Sequence, residues 1–287
     1  MPIDPSIAIG AVLPEREFSW TSSDVLLYHL AIGAGVPPTD PRELRYATEK
    51  NLQVLPTFAV VAPTLNETRA PRVSYPGIEI DLAKVLHGTQ QIVAHGPIPT
   101  DGKARAVTRV ADVWDKGSAA VVVTETDVHD LDGAPLWTNR SSIFARGEGG
   151  FGGERGPSAR TELPDRDADV VITTSTLPQQ ALWYRLLGDR NPLHSDPEFA
   201  AAAGFPAPIL HGLGSYGIVC KALTDELFDG DATRVRSFGV RFAGVVYPGE
   251  TLRTSAWRDG DRWLVTTTVV ERDQAPALSD GELVIAR

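Results

Sequence analysis

One feature constrains the fold of this 287-residue chain more than any other: its two halves read alike. DVLLYHLAIGAG (Asp24 to Gly35) resembles QQALWYRLLGD (Gln179 to Asp189), an apolar helical stretch with a tyrosine that ends at glycine. VLPTFAVV (Val54 to Val61) then resembles ILHGLGSYGIV (Ile209 to Val219), with steps of 27 residues from Tyr28 to Leu55 and 26 from Tyr184 to Leu210. Last, His95 to Val128 resembles Ala243 to Asp273, each a Pro/Gly turn, a strand, a short turn and a strand. ARAVTRVADVW, GSAAVVVTETDV, TLRTSAWR and RWLVTTTVVE are rich in Val, Thr and Trp, with the alternation of half-buried antiparallel strands. DKG and RDGD between them suit hairpins, since glycine tolerates positive φ. A long apolar helix, GLGSYGIVCKALTDELF, beside several curved strands implies a sheet wrapped around that helix.

These pieces set boundaries. We expect an N-terminal half over 1–147, a linker over 148–168 and a C-terminal half over 169–287. The linker is Gly-rich, then charged, without periodicity. Its GEGGFGGERG lacks the Gly-Lys-Ser/Thr ending of a phosphate loop, though Arg155 within it can reach a phosphate.

Hydrophobic residues make up 42% and the formal net charge is −10, with no Lys/Arg run, which argues against a nucleic-acid partner. No apolar stretch is long enough to span a membrane. The single cysteine, Cys220, lies in the apolar run YGIVCKAL; it excludes an internal disulfide and reads as a buried, inert thiol. The start MPIDPSIAIG does not look like a signal peptide, and the ending VIAR is no peroxisomal address. The expected location is the cytoplasm.

GDRNPLHSDPEFA (Gly188 to Ala200) carries the candidate chemistry. Local needs account for part of it: Asp196 as the N-cap of a helix begun by Pro197, and Gly204 as its end. They leave Asp189, Asn191, His194 and the pair His211-Gly212 unexplained. Each alone has an ordinary reading as a turn or satisfied polar group. As a set they occur in one half only; the matching first-half segments read AIGAGVPP and LPT. A scaffold requirement would mark both copies, whereas one active site in a duplicated framework marks one. An aspartate and an imidazole at the two ends of a loop can share a water molecule, one taking its proton and the other supplying a proton to carbon. Asn191 can orient that water. Gly212, at a helix start, offers a free N–H to a developing enolate oxygen.

This stretch resembles the MaoC-like, (R)-specific enoyl-CoA hydratase (hydratase 2) family, whose signature is an aromatic followed by Gly-Asp-x-Asn-Pro-aliphatic-His. Here those residues are Tyr184, Gly188, Asp189, Asn191, Pro192, Leu193 and His194. GFPAPILHG, VLPTFAV, LHGTQ, ADVWDKG and GGFGG extend the resemblance to the two-domain form over nearly the whole chain. The resemblance implies an α+β double hot-dog, two antiparallel sheets each wrapped around a central helix, with an N-terminal half that accommodates the acyl chain. It implies Asp189 and His194 as the catalytic pair, Asn191 as helper and the Gly212 N–H as oxyanion donor. It also implies a homodimer, no metal and no organic cofactor, coenzyme A being part of the substrate. The expected reaction is reversible addition of water to a trans-2-enoyl-CoA, giving the (3R)-3-hydroxyacyl-CoA. The alternatives are a (3R)-hydroxyacyl-ACP dehydratase, a hot-dog thioesterase or a non-catalytic acyl-thioester binding module. Arg155, Arg190 and Arg241 are candidates for the CoA phosphates. His211 stands with them beside the substrate, as a residue that shapes the turn rather than a catalyst. His87 and His95 are expected to be structural, His29 solvated or capping, and Trp114, Trp137, Trp257 and Trp263 to pack in sheets.

Overall fold

A computed structural model describes residues 3–158 and 160–286. Twelve strands form: β1 (Arg16–Trp20), β2 (Val73–Tyr75), β3 (Ile78–Ile80), β4 (Val85–Ala94), β5 (Gly102–Asp115), β6 (Ala119–Asp130), β7 (Pro135–Arg146), β8 (Val170–Ser175), β9 (Val235–Phe242), β10 (Thr251–Asp259), β11 (Arg262–Val269) and β12 (Ala275–Ile285). β2 and β3 make a separate hairpin; the other ten form one sheet in the order β1-β5-β6-β7-β4-β9-β12-β11-β10-β8. Read from its centre outward, that order is the same in both halves, which bears out the repeat read from the sequence. The two half-sheets are continuous because β4 pairs antiparallel with β9 from Thr89↔Arg241 to Val93↔Ser237. The β5–β6 and β10–β11 hairpins turn at Gly117 (φ +84°) and Gly260 (φ +63°), as their sequences require.

The halves differ in what their sheets enclose. In the C-terminal half a 17-residue central helix, Gly212–Phe228, buries ten residues, the eight from Gly214 to Lys221 together with Leu223 and Thr224. Tyr216 from this helix stacks on Phe238 of β9 at 4.9 Å and donates its hydroxyl to the Phe238 carbonyl. Among the described residues of the N-terminal half no long central helix forms. VLPTFAVVAPTL makes two short 3-10 turns, Pro56–Val60 and Ala62–Thr64. Pro63 lacks the N–H that a continuing helix would need, and it disfavours helical geometry at Ala62 before it. The expectation of a central helix in each half is therefore corrected for the first.

The Ser22–Ala31 helix opens with a Thr21–Asp24 capping box. Its His29 is fully buried rather than solvated: Nδ1 lies 3.0 Å from the Tyr46 carbonyl, and Nε2 accepts from the Leu55 N–H at 3.3 Å. Trp137 is buried in the core, as expected of a sheet tryptophan. The described residues of the 148–168 segment hold no helix or strand, yet they are docked on the sheet. The Asp115 carboxylate accepts the N–H groups of Gly117, Gly150 and Gly152 at 2.7 to 2.9 Å. A side chain at Gly149 would meet the Gly117 carbonyl oxygen at 2.4 Å, so the glycines there serve close approach.

Candidate active site

The motif loop is held by its own side chains. The preceding helix ends at Gly188 (φ +107°), where a Cβ would lie 1.9 Å from the Thr64 carbonyl oxygen. Asp189 Oδ1 accepts the Asn191 N–H at 3.1 Å, and Asn191 Oδ1 accepts the Leu193 N–H at 3.1 Å. Two successive turns thus swing the chain so that His194 arrives buried beside Asp189. Behind them Asp196 caps the Pro197–Ala202 helix, and Gly204 ends it at φ +88°. The extended stretch after it returns to the motif, with the Ile209 N–H on the Leu193 carbonyl and the Leu210 N–H on the Val246 carbonyl.

His194 Nδ1 lies 2.9 Å from the Ile209 carbonyl oxygen. That oxygen can only accept, so Nδ1 carries the proton and Nε2 keeps its lone pair. Burial pushes the imidazole below its ordinary range, against the opposing pull of the Asp189 charge. His211 lies behind it, the two rings stacked at 3.7 Å and 26°. His211 is likewise held neutral, by burial first and by His194 second. Its Nε2 lies 3.4 Å from the Asp189 backbone carbonyl, while its Nδ1 is buried without a partner. His211 is absent from the cavity wall, so it braces His194 and the Asp189 backbone rather than facing a substrate.

Asp189, Asn191, His194 and Gly212 all line one cavity of about 850 Å³. Gly212 is the first residue of the central helix, and its N–H has no intrahelical acceptor. A Cβ there would meet the Phe242 ring at 3.0 Å, so that ring fences the approach to the N–H. From this end the cavity runs along the N-terminal half-sheet. Trp114, Val121, Phe144 and Leu86 are paired across β5, β6, β7 and β4 and form an apolar row on its wall. Lys116, Arg160 and Arg72 are the basic residues on the wall besides Arg241. Of the expected phosphate partners, Arg155 and Arg190 are not on the wall. Arg155 is exposed in the docked linker, and Arg190 Nε lies 3.4 Å from the Glu67 carbonyl. Arg241 is on the wall but paired with Asp280 at 2.5 Å. His87, read as structural, lines the cavity too.

One carboxylate oxygen of Asp189 and one ring nitrogen each of His194 and His211 lie within 4.8 Å of one another, a grouping that sequence spacing does not reveal. These donors suit a metal by type but not by direction. Imidazole nitrogens bind a metal in the ring plane, and near-parallel stacked rings aim their lone pairs side by side. No helix among the described residues is long and apolar enough to cross a membrane.

Comparison with known proteins gives the family. Residues 18–147 match the MFE-2 hydratase 2 N-terminal domain, and residues 159–276 match the MaoC like domain. "Enoyl-CoA hydratase ChsH3" of Mycobacterium tuberculosis is 57% identical over 286 residues, covering 100% of both chains. "Enoyl-CoA hydratase 2, peroxisomal" of Arabidopsis thaliana is 39% identical, covering 91% of this chain and 89% of its own. The crystal structure of a MaoC-like dehydratase from Phytophthora capsici superposes with a TM-score of 0.88 at 30% identity, over 99% of this chain and 98% of that one. The chain belongs to the MaoC-like hydratase family, in its two-domain, double hot-dog hydratase 2 form.

Proposed function

We propose that this protein is an (R)-specific 2-enoyl-CoA hydratase, a hydro-lyase that interconverts trans-2-enoyl-CoA and (3R)-3-hydroxyacyl-CoA. The observation that carries the reading is the convergence of the Asp189 carboxylate, the neutral His194 imidazole and the Gly212 N–H on one cavity. A water held between Asp189 and His194 gives up a proton to one of them as its oxygen bonds C3. The C2–C3 π electrons shift toward C1, and charge develops on the thioester oxygen, where the Gly212 N–H stabilises it. Return of a proton to C2 restores the carbonyl, so one water is added and the pair ends as it began. Asn191, with Oδ1 engaged by the Leu193 N–H, has its amide NH₂ to orient the water. Base, acid and oxyanion donor all come from the chain, and the reaction needs no metal or organic cofactor.

The acyl chain fits the N-terminal end of the cavity, against Val73, Leu82, Val85 and Ile143. The basic residues Arg72, Lys116 and Arg160 favour a CoA thioester over an ACP-bound one, because they can meet the nucleotide phosphates despite the chain's net charge of −10. The protein is a cytoplasmic homodimer in this reading. The buried lone thiol of Cys220 suits a reducing compartment, and the exposed Leu30, Leu182, Trp183 and Leu186 offer apolar surface to a second copy.

The test is crotonyl-CoA hydration, followed by loss of enoyl-thioester absorbance with chiral analysis of the product. Asp189→Asn and His194→Gln, each checked for folding, should lower kcat by about 10²- to 10⁴-fold. A (3S) product, or full activity in either variant, rejects the assignment.

A further inference from the structure

The half that lost the motif still places an aromatic ring at the reacting end of the cavity. β4 pairs with β9 only from Thr89 onward, while Val85, Leu86 and His87 pair with β7 alone. The two seam strands therefore part just beyond the Thr89↔Arg241 rung, with His87 on one side of the gap and Phe242 on the other. Their rings meet across it, with centroids 4.7 Å apart at 51°. A register shift between His87 and Thr89 aims the His87 side chain there, as bulges beside functional sites do. Gly88 permits it, since a Cβ at that position would lie 2.7 Å from Ser142 Oγ. Phe242 in turn is the ring that stands against Gly212.

We propose that His87 is a positioning residue for the hydratase reaction: by packing against Phe242 across the split seam, it holds that ring at the Gly212 N–H that receives the enolate oxygen. The inference rests on the hydratase reading above and adds a requirement for the N-terminal half beyond housing the acyl chain. His87 has no other assignment in the chemistry. It lines the cavity, yet its Nε2 is buried with no partner. Burial holds the ring uncharged, its pKa pushed down to about 4 against the pull of Asp189. A neutral, flat ring is what an aromatic partner such as Phe242 packs against. Because the ring contact rather than a proton does the work, another flat ring should substitute for it.

The experiment is a double-mutant cycle on crotonyl-CoA hydration with His87→Ala, Phe242→Ala and the pair, together with His87→Phe and His87→Leu. His87→Ala should lower kcat about tenfold with KM changed less than about twofold, since a misplaced catalytic group costs rate rather than binding. His87→Phe should restore most of the loss, and His87→Leu should not. The pair should be no slower than Phe242→Ala alone, because His87 acts through Phe242. If the alanine variant does not fold, His87→Leu takes its place in the cycle. Multiplicative losses in the pair, wild-type kcat in His87→Ala, or equal losses in His87→Phe and His87→Ala would each overturn the proposal. Wild-type turnover in the same series tests the hydratase reading separately. The Gly212 amide ¹⁵N–¹H resonance tests the contact without turnover: it should move in His87→Ala and stay near its wild-type position in His87→Phe, and the reverse pattern sinks the idea.

Discussion

Lowering the pH from 7 to 5 should strip much of the stability from this protein, and four histidines held neutral by burial are the reason. His29, His87, His194 and His211 are each held neutral in the folded chain, with burial the first cause in every case. His29 is pushed down to about 3. Its Nε2 accepts from the Leu55 N–H, so protonation would set one N–H against another. A proton on His211 would go to an Nδ1 buried without a partner, and would also place a charge against the His194 ring at 3.7 Å. The sign follows. Each folded pKa lies below the unfolded value of about 6.5, so below that pH the unfolded chain binds more protons than the folded one. Stability is complete above about pH 6.5 and is lost as the pH falls toward the folded values. His29 and His87, held at about 3 and about 4, each contribute about 1.4 kcal/mol per pH unit below 6.5, or about 4 kcal/mol together by pH 5, and His194 and His211 act in the same direction. Domains commonly hold 5–15 kcal/mol in total, roughly speaking. Acid protonation of paired carboxylates sets in lower, so the window from pH 6.5 to 5 isolates the histidines. Urea unfolding at half-unit steps over pH 5–7.5 measures the slope. His29→Gln should reduce that slope by close to one proton. A flat stability between pH 6.5 and 5, or an unchanged slope in His29→Gln, refutes the reasoning.

Other perturbations test other parts of the structure. Gly188→Ala puts a Cβ on a left-handed residue 1.9 Å from the Thr64 carbonyl oxygen; denaturant titration should show a loss of about 3 kcal/mol or more, and the displaced Asp189 should lower kcat. Gly212→Ala suits the helix but crowds Phe242 at 3.0 Å, so kcat should fall by about tenfold or more while thermal stability stays near wild type. Asp115→Ala removes the acceptor of three glycine N–H groups and should open the docked linker to trypsin at Arg155 and Arg160, read by the rate of a single internal cut. Lys116→Ala with Arg160→Ala should raise KM for crotonyl-CoA about tenfold and leave crotonyl-pantetheine unaffected; equal effects on both would show that these residues do not read the nucleotide.

The sequence was legible wherever the determinants are local. Asp189, Asn191 and His194 are spaced by turns that their own side chains build, so a string of letters carries their geometry. The hairpins at Gly117 and Gly260 and the cap at Asp196 were readable for the same reason. His211 stacking on His194 depends on the extended stretch that returns its Ile209 N–H to the Leu193 carbonyl, and His87 meeting Phe242 depends on how β4 and β9 join, about 150 residues apart in the chain; no local pattern reports either. Which arginines line the cavity was not legible either. Arg155 and Arg190 lie in irregular backbone, where no periodicity says which way a side chain points, and Arg160 was passed over in the same linker. His29 reads in the sequence as solvated or capping; its burial comes from Tyr46 of the Pro41–Ala47 helix and from Leu55, which lie far along the chain from it.

The difference between the halves explains why one needs the other. A 17-residue helix is about 25 Å long and about 10 Å across, so it occupies roughly 2,000 Å³. The first half replaces that body with two 3-10 turns and a small hairpin, β2–β3, and part of the space released is the cavity of about 850 Å³. A copy that kept its helix would have no room for an acyl chain; a copy that lost it has no helix N-terminus to stabilise an enolate. Joined through β4 and β9, the two halves share one cavity, lined by Leu86, Val121 and Phe144 of the first and by Gly212 at the start of the helix that the second retains. Duplication followed by unequal loss therefore yields one complete site from two incomplete halves, and the seam that joins them is where His87 and Phe242 meet.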